Sequence, residues 1–129
     1  MYVLALLTAL LLALCGVGAA DDAVGENRIK VFLFAEPAFF SEVQVDAVNN
    51  TCVSLLNNLI DGRVQSLLVG GHDVSTVLKR MDYWYCVFYD NYACAGTEDQ
   101  NLVFPDGVNN LASANWQTKI HSLQCTTDR

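Results

Sequence analysis

Basic side chains are scarce in this chain. Its 129 residues hold seven Lys and Arg against fourteen Asp and Glu, a net charge of −7. Lys79-Arg80 is the one adjacent basic pair. Nucleic acid and anionic membrane surfaces are thereby poor partners, because their phosphates repel such a surface. Metal-binding material is equally thin. Cys86 and Cys94 stand too far apart for a zinc knuckle, and His72 and His121 are isolated in sequence. No G-x-S-x-G elbow accompanies any serine, so a Ser–His–Asp set such as Ser66, His72 and Asp73 has no support. The carboxylates suffice in number for a glycosidase pair, but no spacing singles out two of them. Past residue 20 no apolar run is long enough to cross a bilayer.

What is present starts with MYVLALLTALLLALCGVGAADD. No charged side chain occurs from Tyr2 to Ala20, and the small residues Gly18, Ala19 and Ala20 directly precede Asp21. This reads as a secretory signal peptide, residues 1–20, removed after Ala20. An uncleaved anchor is the competing reading, and the small-residue site and acidic remainder disfavour it. Residues 21–129 then form one domain. Cys15 departs with the leader, which leaves Cys52, Cys86, Cys94 and Cys125. Four cysteines in a secreted chain imply two disulfides, and the count alone leaves three pairings open. An oxidising compartment also argues against Cys125 as a thiolate nucleophile beside His121. Asn49-Asn50-Thr51 is a glycosylation sequon.

The apolar segments RIKVFLF, FSEVQV, RVQSLLV, YWYCVFY, NLVF and KIHSL have strand length and are rich in Val, Ile, Phe and Tyr. In FSEVQVD, Val43 and Val45 alternate with Glu42, Gln44 and Asp46, as in a strand with one buried face. Turn signals such as Asp61-Gly62, Gly70-Gly71 and Pro105-Asp106-Gly107 separate the segments. The pattern predicts an all-β sandwich or barrel. DVSTVLKRMD departs from it. Val74, Val77, Leu78 and Met81 fall at helical spacing behind the capping Asp73, which predicts one short helix near 73–82 with Lys79 and Arg80 on its solvated face.

The chain also repeats itself. FAEPAFFS, Phe34 to Ser41, matches YDNYACAG, Tyr89 to Gly96, at an offset of 55 residues, and RVQSL falls within a residue of KIHSL. Each half reads as strand, tight hairpin, strand, irregular crossing and final strand, which suits two Greek-key motifs.

These residues resemble the βγ-crystallin superfamily, whose signature is an aromatic seven residues before a glycine in a folded hairpin. Tyr89 and Gly96 match it, and the second half is similar to small secreted microbial and fungal members, the killer-toxin-like proteins. In the first half Ser41 replaces the glycine. The resemblance implies a two-motif sandwich in which each third strand crosses to the other motif's sheet. It also implies disulfides Cys86–Cys94, across the hairpin, and Cys52–Cys125, between crossing and final strands. The cysteines of CVFYDNYACAG are therefore expected to be staples.

Many members of that superfamily bind calcium through a six-residue stretch that starts with two Asn/Asp and ends in Ser/Thr then Ser. Here the copies read DGRVQS and QTKIHS, where Asp61, Ser66 and Ser122 match and Gly62, Gln65, Gln117, Thr118 and His121 depart. One carboxylate across two sites is thin for a hard cation, so no cofactor is expected and the serines are read as structural hydrogen-bonders. Trp84 and Trp116 are read as core residues ahead of a sugar-stacking surface. The expected protein is a secreted, monomeric, non-catalytic binding protein with a protein or cell-surface target, toxin-like in kind. The alternatives are a proteinase inhibitor of the same fold that presents the polar stretch Ala95 to Asn101, and a calcium-binding βγ-crystallin with degenerate sites at Asp61, Ser66 and Ser122.

Overall fold

The computed structural model describes residues 22–128. The signal peptide expected at residues 1–20 lies outside the described residues. The chain runs β1 (Arg28–Glu36), β2 (Phe40–Val48), β3 (Cys52–Ser54), β4 (Ser66–Val69), α1 (Val74–Leu78), β5 (Trp84–Tyr89), β6 (Asn101–Phe104), β7 (Gly107–Val108) and β8 (Ser122–Thr127). Two four-stranded antiparallel sheets result, in the orders β2-β1-β4-β7 and β3-β8-β5-β6. Each motif thus lends its third strand, β3 or β7, to the other motif's sheet, as the resemblance implies.

Strand alternation builds the core between the sheets. Ile29, Val31 and Leu33 of β1 are fully buried with Leu67 and Val69 of β4, and they face Cys86, Phe88, Leu123 and Cys125 of the second sheet. Val43 and Val45 pack against this core while Glu42, Gln44 and Asp46 are exposed, as their alternation predicts. Trp84 is buried in the core, and Trp116, partly buried, packs against it. A second, smaller cluster forms on the outer face of the first sheet, where Phe32, Phe34 and Leu68 meet Val77 of α1.

The helix is shorter than predicted. Asp73 caps it, its carboxylate accepting from Thr76 N at 2.7 Å, but it stops at Leu78. Arg80, expected on a solvated face, lies just past the Lys79 cap. Its side chain is 8 % exposed and turns inward, where its guanidinium donates to the carbonyls of Val69, Trp84 and Pro105 and pairs with Asp82. Those carbonyls come from both sheets and from the β6–β7 turn, so the guanidinium ties them together at one end of the sandwich. Lys79 alone keeps the expected exposure.

Candidate functional site

The two hairpins are built alike. Phe34 and Phe39 meet edge-to-face at 5.5 Å in the first, where an aromatic covers the turn. In the second, Cys94 occupies the place of Phe39, and both residues hold positive φ, 69° and 50°. Gly96 has φ 126°, and a Cβ there would strike the Gln100 side chain. Ser41, its counterpart, takes φ 64° and keeps the reversal without the glycine. A buried serine tethers each hairpin. Ser66 Oγ donates to Glu36 O at 2.7 Å and accepts from Phe39 N at 3.2 Å. Ser122 Oγ donates to Asn91 O at 2.6 Å and accepts from Cys94 N at 3.1 Å. Both serines are the structural hydrogen-bonders expected from the sequence.

The four cysteines among the described residues are all paired, but not as the resemblance implies. The bridges are Cys52–Cys94 and Cys86–Cys125, which corrects both expected pairings. The reason is which face each residue takes. Cys86 lies directly opposite Cys125 in the β5–β8 register, and both are wholly buried between the sheets. Cys52 pairs in register with Gln124, one residue from Cys125, so its side chain lies on the other face of the sheet. The hairpin folds over that outer face, bringing Cys94 to Cys52 and to the Leu123 carbonyl.

The two hexads meet across the motif boundary. Asp61, first in DGRVQS, receives a hydrogen bond from Tyr92 OH at 2.6 Å and one from His121 Nδ1 at 2.6 Å. His121 is fifth in QTKIHS, and its Nε2 lies 3.8 Å from Asp90. Burial opposes ionisation of Asp61 and is the largest single influence on it. Tyr92, His121 and the Gly62 N–H together outweigh it and hold the carboxyl below the usual carboxylate range. The same contact pushes the Tyr92 phenol up. His121 is therefore not isolated, and its ring sits where the calcium-binding pattern calls for a hydroxyl oxygen.

These residues do not fit calcium. The ion takes six to eight oxygen ligands, whereas both oxygens of Asp61 are occupied, an imidazole fills the fifth position and Gln117 replaces the second carboxylate. Ser66 and Ser122 each spend their hydroxyl on a hairpin. Among the described residues no cluster of three or more His, Cys, Asp or Glu side chains is arranged to hold a metal ion. His72 is paired with Asp73, whereas the Ser66 hydroxyl bonds Glu36 O and Phe39 N, so the triad on paper is not assembled. The stretch Ala95 to Asn101 is mostly exposed, but it curls into a 3-10 turn over Glu98–Gln100, closed by a capping box between Thr97 and Gln100.

Sequence comparison finds neither a matching protein-family model nor a matching curated protein. Solved structures do match in fold. A domain described under the evolution of the eye lens βγ-crystallin fold covers 84 % of this chain and 98 % of its own, at 16 % identity and a TM-score of 0.57. The N-terminal domain of Protein S covers 77 % of this chain and 97 % of its own, at 12 % identity and a TM-score of 0.52. A βγ-crystallin domain of Abundant Perithecial Protein from Neurospora crassa, in a Ca2+-bound form, covers 84 % and 98 %, at 11 % identity and a TM-score of 0.51. The class is thus a βγ-crystallin-like sandwich with two disulfides. At these identities the likeness concerns the fold. Two disulfides suit an oxidising compartment, and no helix among the described residues is long and apolar enough to cross a membrane.

Proposed function

We propose that this chain is a secreted, non-catalytic binding protein that recognises a protein on another cell's surface, toxin-like in kind. One observation carries the reading. Around α1, in an otherwise acidic chain, Val74, Leu78, Met81 and Tyr83 expose 43, 71, 93 and 67 % of their surface. Beside them Phe39, Leu68, Val74, Leu78 and Val108 line a shallow apolar groove of about 120 Å³, with Asp106 at its rim. A run of large exposed apolar side chains is costly to leave in water and marks a contact surface. Asp106 is partnered by Arg80 and Lys79 is exposed beside Leu78, so it is the net charge of −7 that favours an apolar partner with basic flanks over a second copy of the chain. Calcium plays no part in this reading, because the residues of the two hexads do not fit the ion.

The test is competition. Labelled mature protein should bind intact competitor or host cells saturably, and unlabelled wild type should displace it. A Leu78→Glu/Met81→Glu variant, altered at positions that barely touch the core, should keep the wild-type melting temperature and fail to displace. Equal displacement by both proteins, or no saturable binding to any cell type, would overturn the proposal.

A further inference from the structure

We propose that Asn49 carries an N-linked glycan, an inference that rests on the secretory route proposed above. The chain has a single Asn-X-Ser/Thr triplet, Asn49-Asn50-Thr51, and the fold places it in the tight turn between β2 and β3. Thr51 N donates back to Val48 O at 3.0 Å, and Asn50 takes φ 60°. The side chain of Asn49 is oriented by one contact. Thr127 N, which can only donate, lies 3.2 Å from its Oδ1. The amide oxygen therefore faces the last strand, and Nδ2, the atom that accepts sugar, has no hydrogen-bond partner among the described residues. Asn50 and Thr51 beside it are exposed, which leaves room for a sugar to leave the surface.

The chemistry is compatible with this geometry. Nδ2 attacks C1 of the reducing-end sugar of an oligosaccharide carried on a lipid pyrophosphate, the glycosyl donor class of the secretory pathway. The N–C1 bond forms, the C1–O bond to pyrophosphate breaks and its electron pair leaves with the lipid pyrophosphate, while Nδ2 gives up one proton. The carbonyl is untouched, so the product retains the Thr127 N–H to Oδ1 hydrogen bond. The transfer acts on the unfolded chain, and the hydrogen bond that orients the half-buried Asn49 side chain in the finished fold survives it. Asn50, by contrast, accepts from Thr126 Oγ1 at 2.9 Å, and it serves as the control.

The full chain, with residues 1–20, is expressed in a eukaryotic secretory host, and intact mass is measured on protein from the medium before and after a peptide amidase that removes N-glycans. The expected result is added mass that the amidase removes and that is absent in Asn49→Gln and Thr51→Ala but kept in Asn50→Gln. Wild type secreted with bare polypeptide mass overturns the proposal. A chain that never reaches the medium speaks against the secretory reading instead. Residues 21–129 behind a heterologous leader then read out the modification, and bare mass there overturns it equally.

Discussion

The two disulfides should differ sharply in what their removal costs, although loop closure treats them alike. Cys52–Cys94 and Cys86–Cys125 span 42 and 39 residues, and chain entropy assigns each about 4 kcal/mol as an upper value. Their surroundings separate them. Cys52 is exposed and Cys94 half-buried, so serine in both places adds little beyond the lost cross-link. Cys86 and Cys125 are wholly buried among Trp84, Phe88 and Leu123. Serine there also buries two hydroxyls, at about 1–3 kcal/mol each where no partner is found. Against a domain stability of about 5–15 kcal/mol, the Cys86→Ser/Cys125→Ser variant is expected to be unfolded or nearly so at 37 °C. The Cys52→Ser/Cys94→Ser variant should still fold, with a melting temperature lower by roughly 20 °C. Urea unfolding of both variants, with circular dichroism, measures the difference. Mild reductant should likewise open the exposed bridge first, as peptide mapping with a thiol label reports. Equal costs, or a larger cost for the exposed pair, would refute the assignment of faces. Non-reduced peptides joining Cys86 to Cys94 would refute the pairing itself.

Arg80→Met is expected to cost about 3–5 kcal/mol, because it leaves Asp82 and the carbonyls of Val69, Trp84 and Pro105 without their common donor; a loss under 1 kcal/mol in urea unfolding would show that the guanidinium ties nothing together. Acid should destabilise through Asp61 and Asp82. Burial opposes ionisation of Asp82 most strongly, yet Arg80 and the Trp84 N–H hold its carboxyl low, as Tyr92 and His121 do for Asp61. Folded values below the ordinary 3.8 mean that this contribution is full above about pH 4 and is lost as pH falls through the lowered folded values. The Asp61→Asn variant should therefore lose stability relative to wild type at pH 6, with the gap narrowing below pH 4; a gap that widens in acid would reverse the sign.

The hairpin and the sandwich were legible in the sequence because their signals are local or periodic. Tyr89 and Gly96 lie within one turn unit, the alternation of Val43 and Val45 names a face, and the 55-residue offset exposes the duplication. Strands β3 and β7, of three and two residues, are too short to carry a period, and they exist because the other motif's sheet edge supplies their partner. The disulfide pairing was misread for a related reason. Cys52 and Cys125 do come to neighbouring strands, but a one-residue difference in register sends a side chain through the sheet to the other face. Arg80 was misread because helical spacing continued through Met81, while burial of its guanidinium depends on carbonyls at Val69, Trp84 and Pro105. The contact of Asp61 with His121 spans 60 residues. Its one sequence trace is that the crossed strands set the first position of one hexad against the fifth of the other.

That contact is also where the account is most exposed. Asp61 stands first in the stretch that resembles a calcium-binding pattern, and here Tyr92 and His121 take both of its oxygens. Thermal melts of residues 21–129 with both disulfides formed, in calcium and in chelator and repeated for Asp61→Ala, test this directly. The account predicts the same melting temperature for wild type in both conditions and a lower one for Asp61→Ala that is again indifferent to calcium. A calcium-dependent rise in wild type that vanishes in Asp61→Ala would contradict it, and would make the hexads a working cation site.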